Sequence, residues 1–329
     1  MSVSTTASST SAGYRDLRRM ILGQEMVLFV IIVLLFVVVG LINPRFIAER
    51  NISSIFLGNA YVAVAAIGMS MVIISGNIDI SVGSLIGVLA TLCGTLALNG
   101  VPIIISWIIP IIVGMAITTG MGAMVAYLRI PSIVVTLGML SILKGGLISV
   151  TGGAWLTDLP SGFFLAQTRP FGIPTPVYFM VGLTIAAAFW MRRSSLGRAI
   201  YAVGGNVEAA RLSGIDPAKT VVKAFAIHGF FVGIAAVLFA TQLSVIQSTV
   251  PPNLELTIIT ASVVGGVSIL GGTGTVIGST LAAILIATIA SAMIFVNISP
   301  FWMRAVQGVM ILTTVLADLW RRQRQRAGG

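Results

Sequence analysis

The chain has 329 residues, of which 57% are hydrophobic and only 9% carry charged side chains. This apolar excess lies far outside the composition of soluble globular proteins and places the chain in a lipid bilayer. The net charge of +10 does not indicate a nucleic-acid partner, because the 19 Lys and Arg residues cluster at the ends of apolar runs. One cysteine, Cys93, and one histidine, His228, exclude an intrachain disulfide and a metal site built from several Cys or His residues.

About 20 apolar residues span the hydrocarbon core of a bilayer. On that length the sequence predicts an all-α polytopic membrane protein with about ten transmembrane helices, some of them broken or short, within residues 21–320. The predicted spans are 26–42, 53–75, 80–98, 102–127, 131–150, 174–191, 220–244, 256–270, 275–296 and 301–320.

An even number of spans places both termini on the same side of the membrane. With the termini inside, 14 of the 19 basic residues lie on the inner side, which is the distribution that cytoplasmic loops show. We therefore expect both termini to be cytoplasmic. Residues 1–20 are expected to form a disordered tail and residues 321–329 a basic tail. Loop 192–219 is then cytoplasmic, and loop 151–173 is external.

A polar interruption, SGNIDISVGS at 75–84, separates the second and third spans with almost no loop length. Unwound backbone within the membrane persists only where protein or a water-filled cavity satisfies the hydrogen bonds of its N–H and C=O groups. Ser81 can cap the third span, and Asp79 is the acidic residue of the interruption. Intramembrane acids are costly and usually functional. Two interpretations stay open, namely a functional role for this acid and a tight turn whose polar groups cap helix ends.

The longest polar interruption is Leu196–Pro217, between the sixth and seventh spans. Asn206 is suited to cap a short helix, Glu208 favours the first turn, and Gly214 can end the helix in the left-handed conformation. Asp216 and Pro217 then read as the cap and first residue of the next span. This segment is either a solvated loop with a helical turn or a docking element for another protein.

A second helix break contains the glycine-rich stretch GGVSILGGTGT at 265–275. It is not a nucleotide-binding loop, because no Lys follows and the G-x-G-x-x-G spacing fails. Close helix packing and a tight turn explain its small residues. Gly76, Gly83 and Ser84 recur 195 residues later as Gly271, Gly278 and Ser279, although three matches among common residues do not establish a repeat.

Several other polar residues lie on apolar helices. Asn59 and Gln242 could line a path, the alternative being hydrogen bonds between helices. We expect His228 to pack between helices against a backbone carbonyl. Glu255 and Arg304 are expected at the outer ends of their spans, where interfacial charges are usual.

Four motifs occur along the chain in a characteristic order, namely GNIDISVGSL, LRIPSIVVTLGML, LGRAIYAVGGNVEAARLSGID and VVGGVSILGGTGTVIGS. They resemble the permeases of bacterial ATP-binding-cassette sugar importers, in the ribose/xylose/arabinose branch, from about Asn51 to Asp318. The segments TGGAWLTDLP and SPFWMRAVQGVMIL look closest to the autoinducer-2 and rhamnose members. That family often carries Gly-Gly or Gly-Glu before Ile-Asp, whereas this chain has Gly76-Asn77.

The resemblance implies a multi-pass subunit of the bacterial inner membrane that passes a monosaccharide or similar small polyol-like solute to the cytoplasm. It implies three kinds of partner: cytoplasmic ATP-binding subunits that carry ATP and Mg²⁺, a periplasmic sugar-binding protein, and a second permease copy or homologue. No cofactor is expected on this chain. The resemblance also implies a coupling helix that seats in the ATPase and comprises Asn206, Glu208, Ala210, Arg211, Leu212, Ser213 and Gly214. It implies that the IDISVGS break, which contains Asn77, Asp79 and Ser81, lies near the translocation pathway between subunits.

Other classes of protein fit the residues less well. An ion-coupled secondary transporter is the alternative, but it would need carboxylates deep in the helices and Asp79 is the one candidate. A membrane enzyme would need an acid/base pair, metal ligands or an activated nucleophile, which the scattered acids do not supply. A purely structural scaffold would not explain polar residues inside helix breaks.

Overall fold

A computed structural model of the chain describes residues 23–249 and 251–327, and it is almost entirely helical. The predicted N-terminal tail, 1–20, lies outside the described residues. Two short strands, β1 Trp155–Leu156 and β2 Ile246–Gln247, pair antiparallel. The helices in chain order are α1 Gln24–Ile42, α2 Glu49–Ile74, α3 Val82–Leu98, α4 Ile103–Tyr127, α5 Ser132–Thr151, α6 Thr175–Arg193, α7 Ser195–Gly205, α8 Val207–Leu212, α9 Pro217–Ala240, α10 Leu254–Val264, α11 Val276–Phe295 and α12 Met303–Ala327.

The predicted all-α polytopic architecture is confirmed, since each of the ten predicted spans contains one helix. Among the described residues, seven helices are long and apolar enough to cross a membrane by themselves. Helices α3 and α10 are shorter apolar helices, and α6 ends in the basic pair Arg192 and Arg193. The last helix continues to Ala327, beyond the predicted end of its span.

Helix α2 is the centre of the molecule. In its most apolar window 78% of the residues are buried, compared with 6% for α12. Helices α9 and α11 are also mostly buried, whereas at most 22% of the residues in the corresponding windows of α1, α4 and α5 are buried. In a bilayer those exposed surfaces face lipid or another membrane protein. The buried helices therefore form an inner layer that the other helices surround.

Loops predicted to share one side of the membrane contact one another. On the predicted outer side, β1 pairs with β2, and Asn43 Nδ2 donates to the carbonyl of Phe295 at 3.3 Å. On the predicted inner side, the Gly272 N–H donates to the carbonyl of Ile74 at 2.8 Å. These contacts agree with the alternation of ten spans, although the identity of the cytoplasmic side stays a prediction.

Helix α10 corrects the predicted eighth span, 256–270. It has 11 residues, or about 16 Å at 1.5 Å per residue, which is half the hydrocarbon thickness. A Cβ added to Gly83, near the start of α3, would lie 2.6 Å from Glu255 Oε2. Glu255 therefore lies well inside the span and not at its outer end as expected. Apolar composition could not reveal this, because it does not show at which depth in the membrane a helix begins.

The two helix breaks share one backbone geometry. After α2, the N–H of Asn77 donates to Val72 O and Gly76 has φ +85°. After α10, the N–H of Val267 donates to Ser262 O at the same 3.1 Å, and Gly266 has φ +95°. Both are helix endings in which a left-handed residue closes a six-residue ring. The same ending follows α3 at Gly100 and α8 at Gly214, so this geometry does not establish an internal repeat.

Candidate functional site

Helix α8 lies in the polar loop, between α7 and α9, and local interactions fix both of its ends. The Asn206 side chain accepts a hydrogen bond from the Ala209 N–H at 3.0 Å, which satisfies a free donor of the first turn. Gly214 has φ +81°, and the Ile215 N–H donates to Ala210 O at 3.0 Å. The predicted cap and the predicted stop are both confirmed.

Most of α8 faces away from the rest of the protein. Leu212 is 89% exposed and Val207 is 45% exposed, although both are apolar. Glu208 and Arg211 form an ion pair of 3.4 Å on the same surface, and Ser213 is exposed beside them. A solvent-exposed pair of this kind contributes little stability. The helix therefore presents an apolar tip with charged flanks.

Ala210 differs from the rest of this helix, because it is only 3% exposed. It packs in a buried cluster that includes Val203 and Phe225. Ala210 therefore anchors α8 to the protein and offers no surface to a partner. Six residues are too few for the sequence periodicity to show which face is buried.

Helix α9 begins immediately after α8. The Asp216 carboxylate accepts from the Lys219 N–H at 3.1 Å and caps the first turn, and Pro217 occupies the first helical position. This hydrogen bond holds the pKa of Asp216 below its ordinary value, and the Lys219 side chain adds to the effect. The predicted start of this span is confirmed. A rigid cap thus joins α8 to a long buried helix.

Helix α7, which the sequence analysis missed, connects α8 to both helix breaks. Tyr201 donates from its hydroxyl to Gly274 O at 2.8 Å. A Cβ added to Gly204 would collide with the carbonyl oxygen of Ile74 and would lie 2.8 Å from the Gly272 nitrogen. We call these contacts among Ile74, Gly204 and Gly272 the backbone junction. The signals for α7 were Ser194, whose hydroxyl accepts from the Gly197 N–H, and the apolar spacing after it.

The Asp79 carboxylate is fully occupied inside the first break. Its Oδ1 accepts from the Ser81 N–H at 2.8 Å and from the Ser81 hydroxyl at 2.6 Å. Its Oδ2 lies 3.1 Å from His228 Nε2 on α9, and both side chains are 0% exposed. His228 packs between helices as expected, but its partner is a carboxylate and not the backbone carbonyl that we expected.

An open cavity of about 890 Å³ lies beside α8. It is bordered by Asn77 from the first break, by Arg129 from the turn after α4, and by Arg211 and Asp216 from the polar loop. The first break and the predicted docking element therefore share one cavity. Its lining mixes polar backbone, charged side chains and apolar residues.

The five predicted path residues lie in different surroundings. Asn77 is half-buried and borders the open cavity, whereas Asp79 and Ser81 are buried within the protein. The Asn59 amide donates to Ile55 O at 3.0 Å beside a narrow crevice. Gln242 lies just beyond the outer end of α9, where its backbone carbonyl accepts from Gln167 at 3.4 Å. A shared path through all five stays a prediction.

Comparison with protein families matches residues 51–315 to the family described as "Branched-chain amino acid transport system / permease component". The match covers most of the chain and includes both breaks and the whole polar loop. The chain belongs to this permease family. Membership of this family makes the chain the permease component of a transport system and not a catalytic enzyme.

Curated relatives agree with that assignment. The permease is 32% identical to the "Autoinducer 2 import system permease protein LsrC" of Salmonella typhi, over 90% of the permease and 85% of the relative. The protein of that name from Enterobacter sp. (strain 638) is 32% identical over 93% and 90%. The one from Yersinia enterocolitica is 34% identical over 87% and 80%. Comparison with solved structures finds no match. The permease is a multi-pass protein of the bacterial inner membrane.

Proposed function

We propose that the permease is the transmembrane subunit of an ATP-binding-cassette importer for a monosaccharide or a similar small polyol-like solute. The observation that carries the proposal is the placement of α8, an exposed helix with an apolar tip whose two neighbouring helices contact the first break. A partner that moves α8 would therefore also move the segment that borders the cavity.

The proposed partners follow from two features of the chain. Its glycine-rich stretch is not a nucleotide-binding loop, and its helix α8 presents an exposed surface. ATP and Mg²⁺ belong to cytoplasmic ATPase subunits, which would seat α8 through Leu212, with Asn206, Glu208, Arg211, Ser213 and Gly214 around it. A periplasmic binding protein would deliver the solute, and a second copy or homologue would complete the pathway. The relatives are named as permeases of an autoinducer-2 import system, which supports the import direction.

The mechanism proceeds through the two connections of α8. Closure of the ATPase subunits displaces α8, and the displacement reaches the breaks through the backbone junction on α7 and through α9. The breaks lie beside the cavity, so their movement changes access to it. An uncharged solute needs hydroxyl, amide and aromatic groups along its path and no fixed countercharge.

An ion-coupled transporter is the alternative, since Asp79 and Glu255 both lie within the membrane-spanning part of the fold. A coupling carboxylate must exchange ions with water. The Asp79 side chain fits that role poorly, because it is 0% exposed and hydrogen-bonded to Ser81 and His228. Uptake that persists after removal of the ATPase subunit would nevertheless decide for that alternative.

The decisive experiment replaces the exposed tip of α8. Leu212→Asp should weaken ATPase binding about thirty-fold, because loss of a central apolar contact costs about 2 kcal/mol. Leu212→Met is the matched control and should bind as the wild type does. Ala210→Trp is unsuitable, because Ala210 is buried and the variant would disturb the fold.

Binding is measured by co-purification and titration of the ATPase subunit encoded with the permease, and uptake is measured in the same cells. Normal association and normal uptake by Leu212→Asp would overturn the proposed coupling role. The melting temperature of the variant in detergent should equal that of the wild type, because Leu212 makes almost no contact with the rest of the chain.

A further inference from the structure

The Asp79–His228 pair joins two parts of the chain that are 149 residues apart. Asp79 lies in the first break, just before α3, and His228 lies near the middle of α9. The hydrogen bond of 3.1 Å between His228 Nε2 and Asp79 Oδ2 therefore links α9 to the segment before α3.

The imidazole ring of His228 is tightly packed and has almost no freedom to move. A Cβ added to Gly68 on α2 would lie 2.9 Å from His228 Nδ1. Nδ1 itself has no hydrogen-bond partner within residues 23–249 and 251–327. The ring is therefore held by packing on one edge and by Asp79 on the other, and it cannot turn without breaking its one side-chain hydrogen bond.

The Asp79 side fixes the start of α3. Both the N–H and the hydroxyl of Ser81, the residue before α3, donate to Asp79 Oδ1. The predicted cap is therefore wrong, because the Ser81 side chain bonds to Asp79 and makes no hydrogen bond to the first turn of α3. The Ser81 hydroxyl also lies 3.5 Å from Met121 Sδ on α4. A displacement of Asp79 would therefore pull on the first turn of α3 and on the break that precedes it.

Helix α9 is also built to move together with α8. The capped turn of Asp216 and Pro217 joins them, with Ala210 buried in the same cluster as Phe225 of α9. Further along, α9 lies so close to α4 that a Cβ on Gly229 would be 2.5 Å from Gly114 O. Helices α8, α9 and α4 therefore form one packed unit.

We propose that His228 is a positioning residue that transmits the displacement of α8 along α9, through Asp79, to the first break and the start of α3. This inference rests on the proposed function and deepens it. The backbone junction on α7 reaches the same break from the opposite end of α8. The first break is thus connected to both ends of α8, through α7 at one end and through α9 at the other.

A purely structural role is the competing explanation, and the pair can be tested against it. Removing one partner of a buried polar pair leaves the other uncompensated, whereas replacing both partners with uncharged groups is often neutral. A double variant should therefore restore stability under either explanation. Only the transmission role predicts that the double variant still fails to move the break.

The experiment uses the full permease with its ATPase subunit in proteoliposomes, with Cys93→Ala and a reporter cysteine at Asn77→Cys. The readout is the rate of maleimide labelling without nucleotide and after trapping with ATP and vanadate, so no solute is needed. The variants are His228→Leu, His228→Gln, whose amide nitrogen replaces Nε2, and Asp79→Asn/His228→Leu.

We expect the reference protein and His228→Gln to show a difference in labelling rate between the two nucleotide states. His228→Leu should lose that difference. The double variant should recover the melting temperature and ATP hydrolysis but should still show no difference. A nucleotide-dependent difference of wild-type size in the double variant would overturn the inference and leave the proposed function intact. A reference protein that binds no ATPase would overturn the proposed function and this inference together.

Discussion

At the scale of single residues, Gly204 is the position where an added side chain would collide most severely with a neighbouring backbone. Its missing side chain lets α7 approach the carbonyl of Ile74, which accepts the Gly272 N–H at 2.8 Å. Three chain segments therefore meet through backbone atoms alone. Such a contact leaves no side chain that could adjust, so a movement of α7 passes directly to both breaks.

Gly204→Ala should destabilise the permease by at least about 1–3 kcal/mol, because the new methyl group would collide with backbone atoms that cannot yield. Gly205→Ala is the matched control, since its Cβ would lie 3.9 Å from Gly272 Cα, in ordinary contact. Both substitutions improve helix propensity by a similar amount. Thermal unfolding in detergent that shows equal midpoints for the two variants would contradict the junction.

The caps of α8 and α9 show what a sequence can predict at the scale of an element. Asn206, Gly214 and Asp216 act on residues within five positions, so the sequence reveals them directly. The Asp79–His228 hydrogen bond joins residues 149 positions apart, and the orientation of Ala210 depends on packing. Neither leaves a local pattern, so the sequence predicted the short helix α8 but not its links to the breaks.

The start of α8 depends on one side-chain hydrogen bond. Asn206→Ala should cost about 1 kcal/mol of local stability by removing the acceptor for the Ala209 N–H. Hydrogen exchange at that amide should then accelerate about five-fold. Asn206→Asp keeps the acceptor and adds charge that the helix dipole favours, so its exchange should match or fall below the wild-type rate. Equal exchange in all three proteins would contradict the assigned cap.

At the scale of the whole molecule, every proposed movement requires α8 and both breaks to lie on the cytoplasmic side. The fold brings them together at one end, and the distribution of basic residues assigns that end to the cytoplasm. The strand pair of Trp155 and Gln247 lies on the opposite side in this topology. The proposed movements therefore all assume this orientation of the permease in the membrane.

Single cysteines can test that orientation, because Cys93 is the one cysteine of the chain and is buried. In a Cys93→Ala background, Leu212→Cys and Trp155→Cys each place a thiol on an exposed site. A membrane-impermeant maleimide should label Trp155→Cys in right-side-out vesicles and Leu212→Cys in inside-out vesicles. The opposite pattern would place α8 outside the cell, where no ATPase could reach it. Labelling of both thiols in detergent controls for reactivity, so protection in vesicles reports the membrane alone.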